Sequence, residues 1–438
     1  MGTEKKTTAL PAISRVLDSG DILELLYKPE TGTTTFCHWD GTTHKEMSNY
    51  QVSNGTKLVP YSATNNLIAH SVILFPSEPE EYGSQETLIS DITAFIKRYV
   101  DLSDAFTQIA AYYALFTWIY DQFNELPYLR VRGDYGSGKT RFLLTVGSLC
   151  YKPIFASGAS TVSPIFHILD SFGGTLLVDE ADFRFSDEKA DMVKILNNGN
   201  VRGFPVLRSE QSHTKEFNPK AFHVYGPKLV ATRGYYQDRA LESRFITEEL
   251  GNRPLRKDIP INLPSEYQKE ARSLRNKLLL YRFRTLTKKL ITTDLVDPCL
   301  EPRLNQILTP LTSVMDDTTT REQLRQLATR YQQDMVADRS MDTEAQILRI
   351  IAEHKPEAPL TVKAITDRFV ERFSSDYDRK ITPKWIGGII RRNLKLRTYK
   401  SNGTYAVNLG DKELLHRLYE RYGIETDNAG DVGTSGTL

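Results

Sequence analysis

Apolar positions follow two different periods along this chain, and the changes between them mark predicted domains. Residues 1–82 contain short apolar runs, DILELLY and TTTFCHW among them, separated by turn-forming residues, which predicts a small β-rich domain. From Gln85 onward, apolar residues in TLISDITAFIKRYV and DAFTQIAAYYALFTWIYDQF recur at the i, i+3, i+4 spacing of helices. These helices open a second predicted domain, 83–250.

Five apolar runs alternate with helical stretches through the rest of that second domain. Such alternation predicts an α/β fold, in which a parallel sheet is covered by helices on both faces. The five predicted strands are YLRVRG (128–133), IFASGAS (154–160), TLLVDEAD (175–182), KLVATR (228–233) and RFITEEL (244–250).

Three further stretches follow the predicted sheet. Residues 251–341 are helical in pattern and rich in charge, which predicts a helical lid and connector. Within 342–422, TEAQILRIIAEH, TVKAITDRFVERFSS and TPKWIGGIIRRNL predict three helices, and KLRTYKSNGTYAVNL predicts a hairpin around SNGT. Three helices and a hairpin resemble a winged helix. Residues 423–438 are polar and glycine-rich, and we expect them to be disordered.

Composition is that of an ordinary soluble protein. The chain has 438 residues, 40% hydrophobic and 25% charged, with a formal net charge of +1, and its length suits about three domains. No run approaches the roughly 18 consecutive apolar residues of a membrane span, so none is expected. Cys37, Cys150 and Cys299 are isolated and odd in number, which argues against a disulfide framework or a zinc site and favours the cytoplasm.

The stretch GDYGSGKT lies between a predicted strand and a predicted helix, and it matches G-x-x-x-x-G-K-[ST] in full. Glycines let backbone N–H groups approach phosphates, and the helix N-terminus adds partial positive charge. Lys139 would reach the β- and γ-phosphates, and the Thr140 hydroxyl would bind Mg²⁺. The predicted nucleotide-binding residues of this loop are Gly133, Asp134, Tyr135, Gly136, Ser137, Gly138, Lys139 and Thr140.

Two adjacent acids end the apolar run GTLLVDEAD. Carboxylates at the carboxyl end of a buried strand lie at the edge where open α/β sheets bind ligands. Asp179 would bind Mg²⁺, and Glu180 would orient and polarise the attacking water. Successive strand residues point to opposite sides, so the two acids can take different roles.

With these two motifs, residues 85–340 resemble the AAA+ class of P-loop ATPases, whose Walker A and Walker B motifs they match. The resemblance implies ATP and Mg²⁺ as ligands and a five-stranded sheet of order 5-1-4-3-2. It implies a polar sensor 1 residue, for which GPKLVATR offers Thr232 or Arg233. The usual residue there is Asn, so this sequence departs from the class pattern.

The resemblance also implies arginines that complete the site. In DRALESRF, Arg244 resembles the arginine finger that acts on a neighbouring subunit, and Arg239 is the competitor. An ion pair of Arg244 with Glu242 or Asp238 is the alternative. A sensor 2 arginine would come from EARSLRNKLLLYR, either as Arg272 or as Arg275.

Two stretches carry candidate nucleic-acid contacts. PVLRSEQSHTKEFNPKAF predicts a β-hairpin, and it resembles the channel hairpin of superfamily 3 and minichromosome-maintenance helicases; a plain surface hairpin is the alternative. The C-terminal unit concentrates basic residues on its third helix and hairpin, with protein binding or packing on the ring as alternatives. The candidates are Arg202, Arg208, Lys215, Lys220, Lys384, Arg391, Arg392, Lys395 and Arg397. Thr382 would cap the third helix, with Pro383 at its first position.

Several stretches together, GFPVLR and GPKLVATR among them, resemble replicative ATPases of phages, plasmids and other mobile elements. The resemblance implies a ring, hexameric by analogy, in which ATP hydrolysis at subunit interfaces moves basic hairpins along one DNA strand while the winged helix binds duplex. A DNA-binding ATPase switch that does not unwind is the alternative function. A protein-remodelling AAA+ machine is less favoured, because such machines prefer an aromatic pore loop.

Overall fold

The computed structural model describes most of the chain, in two compact units, Met1–Arg325 and Gln326–Leu438. The described residues are 9–52, 55–157, 160–179, 181, 187–209, 218–236, 238–251, 254–288, 293–354, 358–377, 380–401 and 403–424. The predicted boundaries near 82 and 250 therefore fall inside the first unit.

Seven short strands form within the described part of residues 9–60, in agreement with the β-rich start that the short apolar runs and turns predict. Two small sheets result, of order β1-β7-β6 and β2-β3-β4-β5, around buried Leu23, Phe36 and Leu58. The strands are β1 (Ala9–Ala12), β2 (Ser14–Val16), β3 (Ile22–Lys28), β4 (Thr33–Trp39), β5 (His44–Met47), β6 (Tyr50–Gln51) and β7 (Lys57–Pro60).

Three helices lead from these sheets to the central sheet: α1 (Asn66–Ala69), α2 (Gln85–Tyr99) and α3 (Asp104–Thr117). Side chains of Ser84 and Ser103 cap α2 and α3, and such caps satisfy N–H groups that have no partner within the helix. Most of α3 is buried. The helices predicted from Gln85 onward are confirmed.

The central sheet has five parallel strands in the order β14-β8-β13-β10-β9. Numbered among themselves along the chain, the five strands read 5-1-4-3-2. They are β8 (Tyr128–Arg132), β9 (Pro153–Ala156), β10 (Thr175–Val178), β13 (Lys228–Thr232) and β14 (Phe245–Glu249). All residues of β8, β10 and β13 are buried, which is typical of a sheet covered on both faces. The predicted five-stranded parallel α/β sheet is confirmed.

Helices and one ribbon connect these strands. They are α4 (Lys139–Gly147), α5 (Val162–Phe172), α6 (Asp187–Asn198), β11 (Val206–Arg208), β12 (Lys220–Phe222) and α7 (Arg239–Glu242). Helix α4 packs so closely on β10 that a Cβ at Gly147 would lie 1.8 Å from Leu177 Cδ2.

The β-rich segment is joined to the central sheet through several contacts. Ile73 bridges Ile154 of the edge strand β9 in antiparallel fashion. Helix α8 (Glu266–Thr285) packs against the β-rich segment, because the rings of Trp39 and Phe283 stack at 5.6 Å and Arg282 pairs with Glu24. Arg282 also pairs with Asp121, which lies between α3 and β8. Helices α9 (Pro302–Ser313) and α10 (Thr318–Ser340) follow, and α10 runs past the division between the units.

In the second unit, the described residues after α10 form the three α-helices and the hairpin that the sequence predicts, and a fourth α-helix, α14. Its elements after α10 are α11 (Thr343–Ala352), α12 (Val362–Phe373), α13 (Pro383–Arg392), β15 (Thr398–Ser401), β16 (Thr404–Val407) and α14 (Lys412–Tyr422). Strands β15 and β16 are antiparallel. The core includes Ile365, Phe369, Ile386 and Ile390, with Leu418 of α14. Most of the predicted disordered tail, 425–438, lies outside the described residues.

Among the helices that the structure describes, none is both long and apolar enough to cross a membrane.

Candidate functional site

The glycine-rich loop joins β8 to α4, and each of its glycines meets a steric requirement. Gly136 and Gly138 have φ values of 72° and 94°, which side chains other than glycine rarely tolerate. A Cβ at Gly133 would lie 2.7 Å from the Leu250 carbonyl oxygen and 2.7 Å from Ser137 Oγ. The loop backbone is therefore free of side chains at three points.

Lys139 begins α4 and bends back over the loop. Its Nζ donates to the carbonyl oxygens of Gly133 and Asp134, at 2.7 Å each. The first N–H groups of α4 have no acceptor within the helix, so an ammonium and several backbone donors lie at one place. This combination suits an anion such as a phosphate.

Thr140 and Asp179 are brought together from two different elements. Thr140 lies in the first turn of α4, Asp179 follows β10, and Thr140 Oγ1 donates to Asp179 Oδ2 at 2.7 Å. A hydroxyl and a carboxylate are hard oxygen ligands of the kind that Mg²⁺ prefers. Within the described residues no group of three or more His, Cys, Asp or Glu side chains could hold a metal. Two protein oxygens fit Mg²⁺, which commonly takes its other ligands from water and phosphates.

Glu180, the predicted partner of the attacking water, lies outside the described residues. The chain on either side of it is fixed to neighbouring strands: Asp179 N donates to Ala156 O at 3.2 Å, and Ala181 N donates to Ala231 O at 3.0 Å. The role of Glu180 stays a prediction.

The two sensor 1 candidates differ in exposure. Thr232 is fully buried at the end of β13, and its Oγ1 has no hydrogen-bond partner among the described residues. Its carbonyl oxygen accepts from Gly133 N at 3.2 Å, which ties β13 to the start of the loop. Arg233 is exposed, and its guanidinium carbon lies 3.7 Å from the ring centroid of Tyr135.

Two further arginines lie in β8, where the sequence analysis predicted only a strand. Arg130, 1% exposed, pairs with Glu242. Arg132 pairs with Glu249, and its guanidinium carbon lies 3.1 Å from the ring centroid of Tyr235. The sequence signal for these buried ion pairs was the presence of two arginines within the otherwise apolar run YLRVR.

Arg244, the finger candidate, is half-buried against its own chain. Its Nε donates to Asn200 Oδ1 at 2.8 Å, and its Nη1 donates to Asn197 Oδ1 and to the Ala240 carbonyl oxygen. Burial lowers the pKa of this guanidinium. Of the two acids in the alternative ion pair, Glu242 binds Arg130, whereas the negative charge of Asp238 opposes the lowering of the Arg244 pKa. The competitor Arg239 is the exposed first residue of α7, and the finger role of either arginine stays a prediction.

The structure corrects the sensor 2 prediction, because both candidates lie away from the loop. Arg272 pairs with Glu30 of the β-rich segment. Arg275 is buried and donates to the carbonyl oxygens of Phe75 and Ser148, and Ser148 follows the opposite end of α4 from Lys139.

The predicted hairpin is present as β11 and β12, which pair Arg208 with Lys220. Lys215 lies outside the described residues. The other three candidates contact their own chain: Arg208 binds Asp191 at 3.1 Å, Lys220 Nζ lies 3.4 Å from His167 Nδ1, and Arg202 donates to the Asp121 carbonyl oxygen. The hairpin base is thus attached to the core through the cations predicted to contact DNA.

Helix α13 of the second unit presents a different surface. Thr382 caps it through Trp385 N at 3.3 Å, with Pro383 in the first position, as predicted. All five basic candidates of this unit are exposed, and none of their side chains has an ion pair or hydrogen bond with a described residue. The five, hereafter the α13 basic surface, are Lys384, Arg391, Arg392, Lys395 and Arg397.

No protein-family model matches this chain, and no curated protein matches it. Among solved structures, the chain is similar to the apo A form of the NrS-1 C-terminal region, with a TM-score of 0.33 and 12% identity over 88% of this chain and 95% of that chain. It is also similar to JCV helicase (0.24, 12% identity, 58% and 64%) and to Aeropyrum pernix ORC1 in complex with DNA (0.21, 14% identity, 79% and 93%). TM-scores this low support no argument about function.

Proposed function

We propose that this protein is an ATP-hydrolysing motor of the AAA+ class that acts on DNA, as a ring-forming helicase or translocase in the replication of a phage or other mobile element. The hydrogen bond of 2.7 Å between Thr140 and Asp179 carries the proposal. It joins a hydroxyl that follows a glycine-rich loop to a carboxylate at the carboxyl end of a buried strand. A hydroxyl and a carboxylate placed in this way could together hold the Mg²⁺ of a bound nucleotide.

In this proposal the loop binds the phosphates of ATP. Backbone N–H groups at Gly136 and Gly138, and those of the first turn of α4, donate to phosphate oxygens. Lys139 exchanges its present acceptors, two loop carbonyl oxygens, for the β- and γ-phosphates. The exchange is favourable because a bond between two charged groups is stronger than one to a carbonyl.

Four residues would take part in the hydrolysis of the bound ATP. Thr140 and Asp179 would hold Mg²⁺, which neutralises charge on the phosphate oxygens. Glu180 orients the attacking water, and Arg244 of an adjacent subunit stabilises charge on the transferred phosphoryl group. The site is then complete only in an oligomer, for which a hexameric ring is our proposal.

The α13 basic surface is the observation that favours DNA as the molecule on which the energy of ATP hydrolysis is used. Five exposed cations without intrachain partners in the described structure, on a capped helix and the segment after it, suit the phosphates of a duplex. The hairpin between β11 and β12 would contact single-stranded DNA in the channel.

A second candidate function, a DNA-binding ATPase switch without unwinding, is favoured by the state of that hairpin. Arg202 donates to the Asp121 carbonyl oxygen, Arg208 pairs with Asp191, and Lys220 lies beside His167. These three cations of the hairpin base therefore contact their own chain. In the switch, ATP controls assembly on DNA and the hairpin does not move along a strand.

The test of the nucleotide site is to replace Thr140 by Val and, as the matched control, by Ser. Thr140→Val keeps the side-chain volume but loses the metal-binding hydroxyl, so we expect Mg²⁺-dependent ATP hydrolysis to fall at least about tenfold. Thr140→Ser keeps the hydroxyl and most of the activity, and Lys139→Ala marks the level of an inactive site. Equal turnover by the Val and Ser variants would contradict the assignment.

A further inference from the structure

A cavity of about 1040 Å³ lies in the first unit, between the segment before β8, the segment after α8, and α9 with the residues that precede it. Much of its lining is apolar, and Val296 in its wall is 56% exposed. Exposed apolar surface at a concave site is typical of a place where another molecule binds. The apolar residues that line this cavity, hereafter the α9 cavity, include Phe123, Leu286, Val296, Leu300, Pro302 and Pro310.

The α9 cavity lies beside Arg244, the residue proposed to act on a neighbouring subunit. On one side, Arg303 of α9 donates to the Ala240 carbonyl oxygen at 2.7 Å, and Arg244 donates to the same oxygen. On the other side, Leu126, which follows the lining segment before β8, donates from its backbone N–H to the Asn200 carbonyl oxygen. The Asn200 side chain accepts from Arg244 Nε. If Arg244 faces an adjacent subunit, the cavity therefore faces the same subunit.

Two exposed apolar side chains lie near the glycine-rich loop, in the segment 254–261, hereafter the 254–261 loop. They are Leu255 and Ile261, which are 63% and 91% exposed. Arg141 of α4 donates to the Ile261 carbonyl oxygen at 2.6 Å, and α4 begins at the glycine-rich loop. The 254–261 loop therefore lies on the nucleotide-binding side of the subunit.

The 254–261 loop is held in place by its own chain. Arg256 N donates to Asp101 Oδ2 at 3.0 Å, and Arg256 Nη2 donates to the Lys97 carbonyl oxygen at 3.1 Å. Together with the bond from Arg141, these contacts attach the loop to α4, to α2 and to the segment after α2. A loop that is ordered in advance loses less conformational entropy when it binds a partner.

We propose that the α9 cavity receives the 254–261 loop of an adjacent copy of this chain, with Leu255 and Ile261 packed against its apolar wall. This inference rests on the proposed function, because a site shared between subunits places the nucleotide-binding side of one copy against the Arg244 side of the next. Each copy then presents a loop on one side and a cavity on the other. Such a heterologous contact repeats from copy to copy and forms a ring when the rotation closes.

Two opposite charges add specificity to this contact. Glu125 lines the α9 cavity and is half-buried, and its carboxylate has neither an ion pair nor a hydrogen bond with a described residue. Lys257 is exposed on the 254–261 loop, and its ammonium likewise has no partner among the described residues. The two pair across the interface, and complementary charges favour the correct partner and register.

Cross-linking through cysteine tests the contact directly in the full chain. Cys299 is exposed and lies between the lining residues Pro298 and Leu300, whereas the other two cysteines are buried. A short bismaleimide should therefore link Ile261→Cys chains, assembled with Mg²⁺ and a non-hydrolysable ATP analogue, into a series of dimers, trimers and larger products. The controls are the wild type, Ile261→Cys combined with Cys299→Ser, and Met341→Cys, which replaces a residue that is 78% exposed. All three should stay largely unlinked.

Charge reversal tests the pair of Glu125 with Lys257. Glu125→Lys and Lys257→Glu should each raise the protein concentration needed for half-assembly at least about threefold, because like charges then face each other. The double variant should return this concentration to within about twofold of the wild type. The measurement is the mass of the oligomer by sedimentation velocity with the same analogue. A double variant that assembles no better than the weaker single variant would contradict the pair.

The outcomes separate this inference from the proposed function. If Arg244→Ala regains turnover when mixed with Glu180→Gln, but Ile261→Cys gives no linked series, another molecule occupies the cavity, and this inference is wrong while the proposed function stands. If Ile261→Cys links equally well without Cys299, the loops meet each other, and the inference is again wrong. If the wild type stays monomeric with every nucleotide, both the inference and the shared site are wrong.

Discussion

Arg244 illustrates how the surroundings of one residue bear on its proposed role. Its guanidinium is held by the side-chain oxygens of Asn197 and Asn200 and by a backbone carbonyl. These acceptors orient the group, and an arginine keeps its charge even when partly buried. A positioned guanidinium suits a phosphate of an adjacent subunit.

We predict that Arg244→Ala preserves ATP binding and lowers hydrolysis about 10³-fold, because loss of an arginine finger removes charge stabilisation from the transition state. Turnover should partly return when this variant is mixed with Glu180→Gln chains, which keep Arg244. The measurement is the steady-state ATPase rate of each variant and of the mixture. A mixture no more active than its parts would contradict action between subunits.

At the residue scale, the sequence predicted backbone conformations and helix caps that depend on neighbouring residues. It did not predict ion pairs between residues far apart in the chain. The left-handed φ values of Gly136 and Gly138 follow from the loop motif, and the Thr382 cap follows from its neighbours in sequence. The pairs Arg130–Glu242 and Arg132–Glu249 join residues more than 100 positions apart. Arg132 meets Glu249 because β8 and β14 pair in a register that places the two residues opposite each other, and Arg130 meets Glu242 because α7 ends beside β8; the sequence pattern specifies neither arrangement.

At the scale of elements, β13 begins with a fully buried lysine in the centre of the sheet. Lys228 Nζ donates to the carbonyl oxygens of Val224 and Gly226, and burial lowers its pKa from 10.5 to about 7. Between these two values the folded protein binds fewer protons than the unfolded chain. The free energy of unfolding should therefore rise with pH across this window.

The prediction is a pH-dependent difference between the wild type and Lys228→Met, which has no titrating group at this position. The free energy of unfolding of the wild type, minus that of the variant, should increase from about pH 7 to about pH 9. Urea unfolding of both proteins at each pH measures it, and the subtraction removes contributions from other groups. A difference that stays constant or falls would contradict the lowered pKa.

If the α13 basic surface binds DNA phosphates, the affinity for duplex DNA should fall as the salt concentration rises. Replacing Arg391, Arg392 and Lys395 by Gln should weaken duplex binding at least tenfold and lower the slope of log affinity against log salt by about 2 to 3. The matched control is the triple Gln variant of Lys412, Arg417 and Arg421, which are exposed on α14 of the same unit.

Equal losses in the two triple variants would contradict a specific role for α13. The measurement for both is the affinity for a short duplex at several salt concentrations.

The spacing of apolar residues predicted most of the helices and strands, but it did not predict the contacts between distant segments. The five runs became five parallel strands, because short apolar runs that alternate with helices are typical of a parallel sheet covered on both faces. Helix α14 was missed, although KELLHRLYERY has helical spacing. The bridge between Ile73 and Ile154 could not be foreseen, because a single antiparallel contact at a sheet edge has no sequence signature.

At the scale of the whole molecule, the chain combines two units of different chemistry. The first holds the loop, Thr140 and Asp179, and the second holds the α13 basic surface. The fixed spacing of two motifs predicted the nucleotide site, and the concentration of basic residues on the third helix and hairpin of the second unit predicted the DNA-binding surface. Whether nucleotide turnover moves DNA depends on assembly and on the hairpin, which neither motif determines.

The central claim is that ATP hydrolysis at this site drives the separation of DNA strands, and unwinding of a forked duplex tests it most directly. The wild type should release the labelled strand with ATP and Mg²⁺, and should release none with a non-hydrolysable analogue or as Lys139→Ala. If the wild type hydrolyses ATP and binds the fork but releases no strand under any nucleotide condition, the motor is contradicted and the ATPase switch remains.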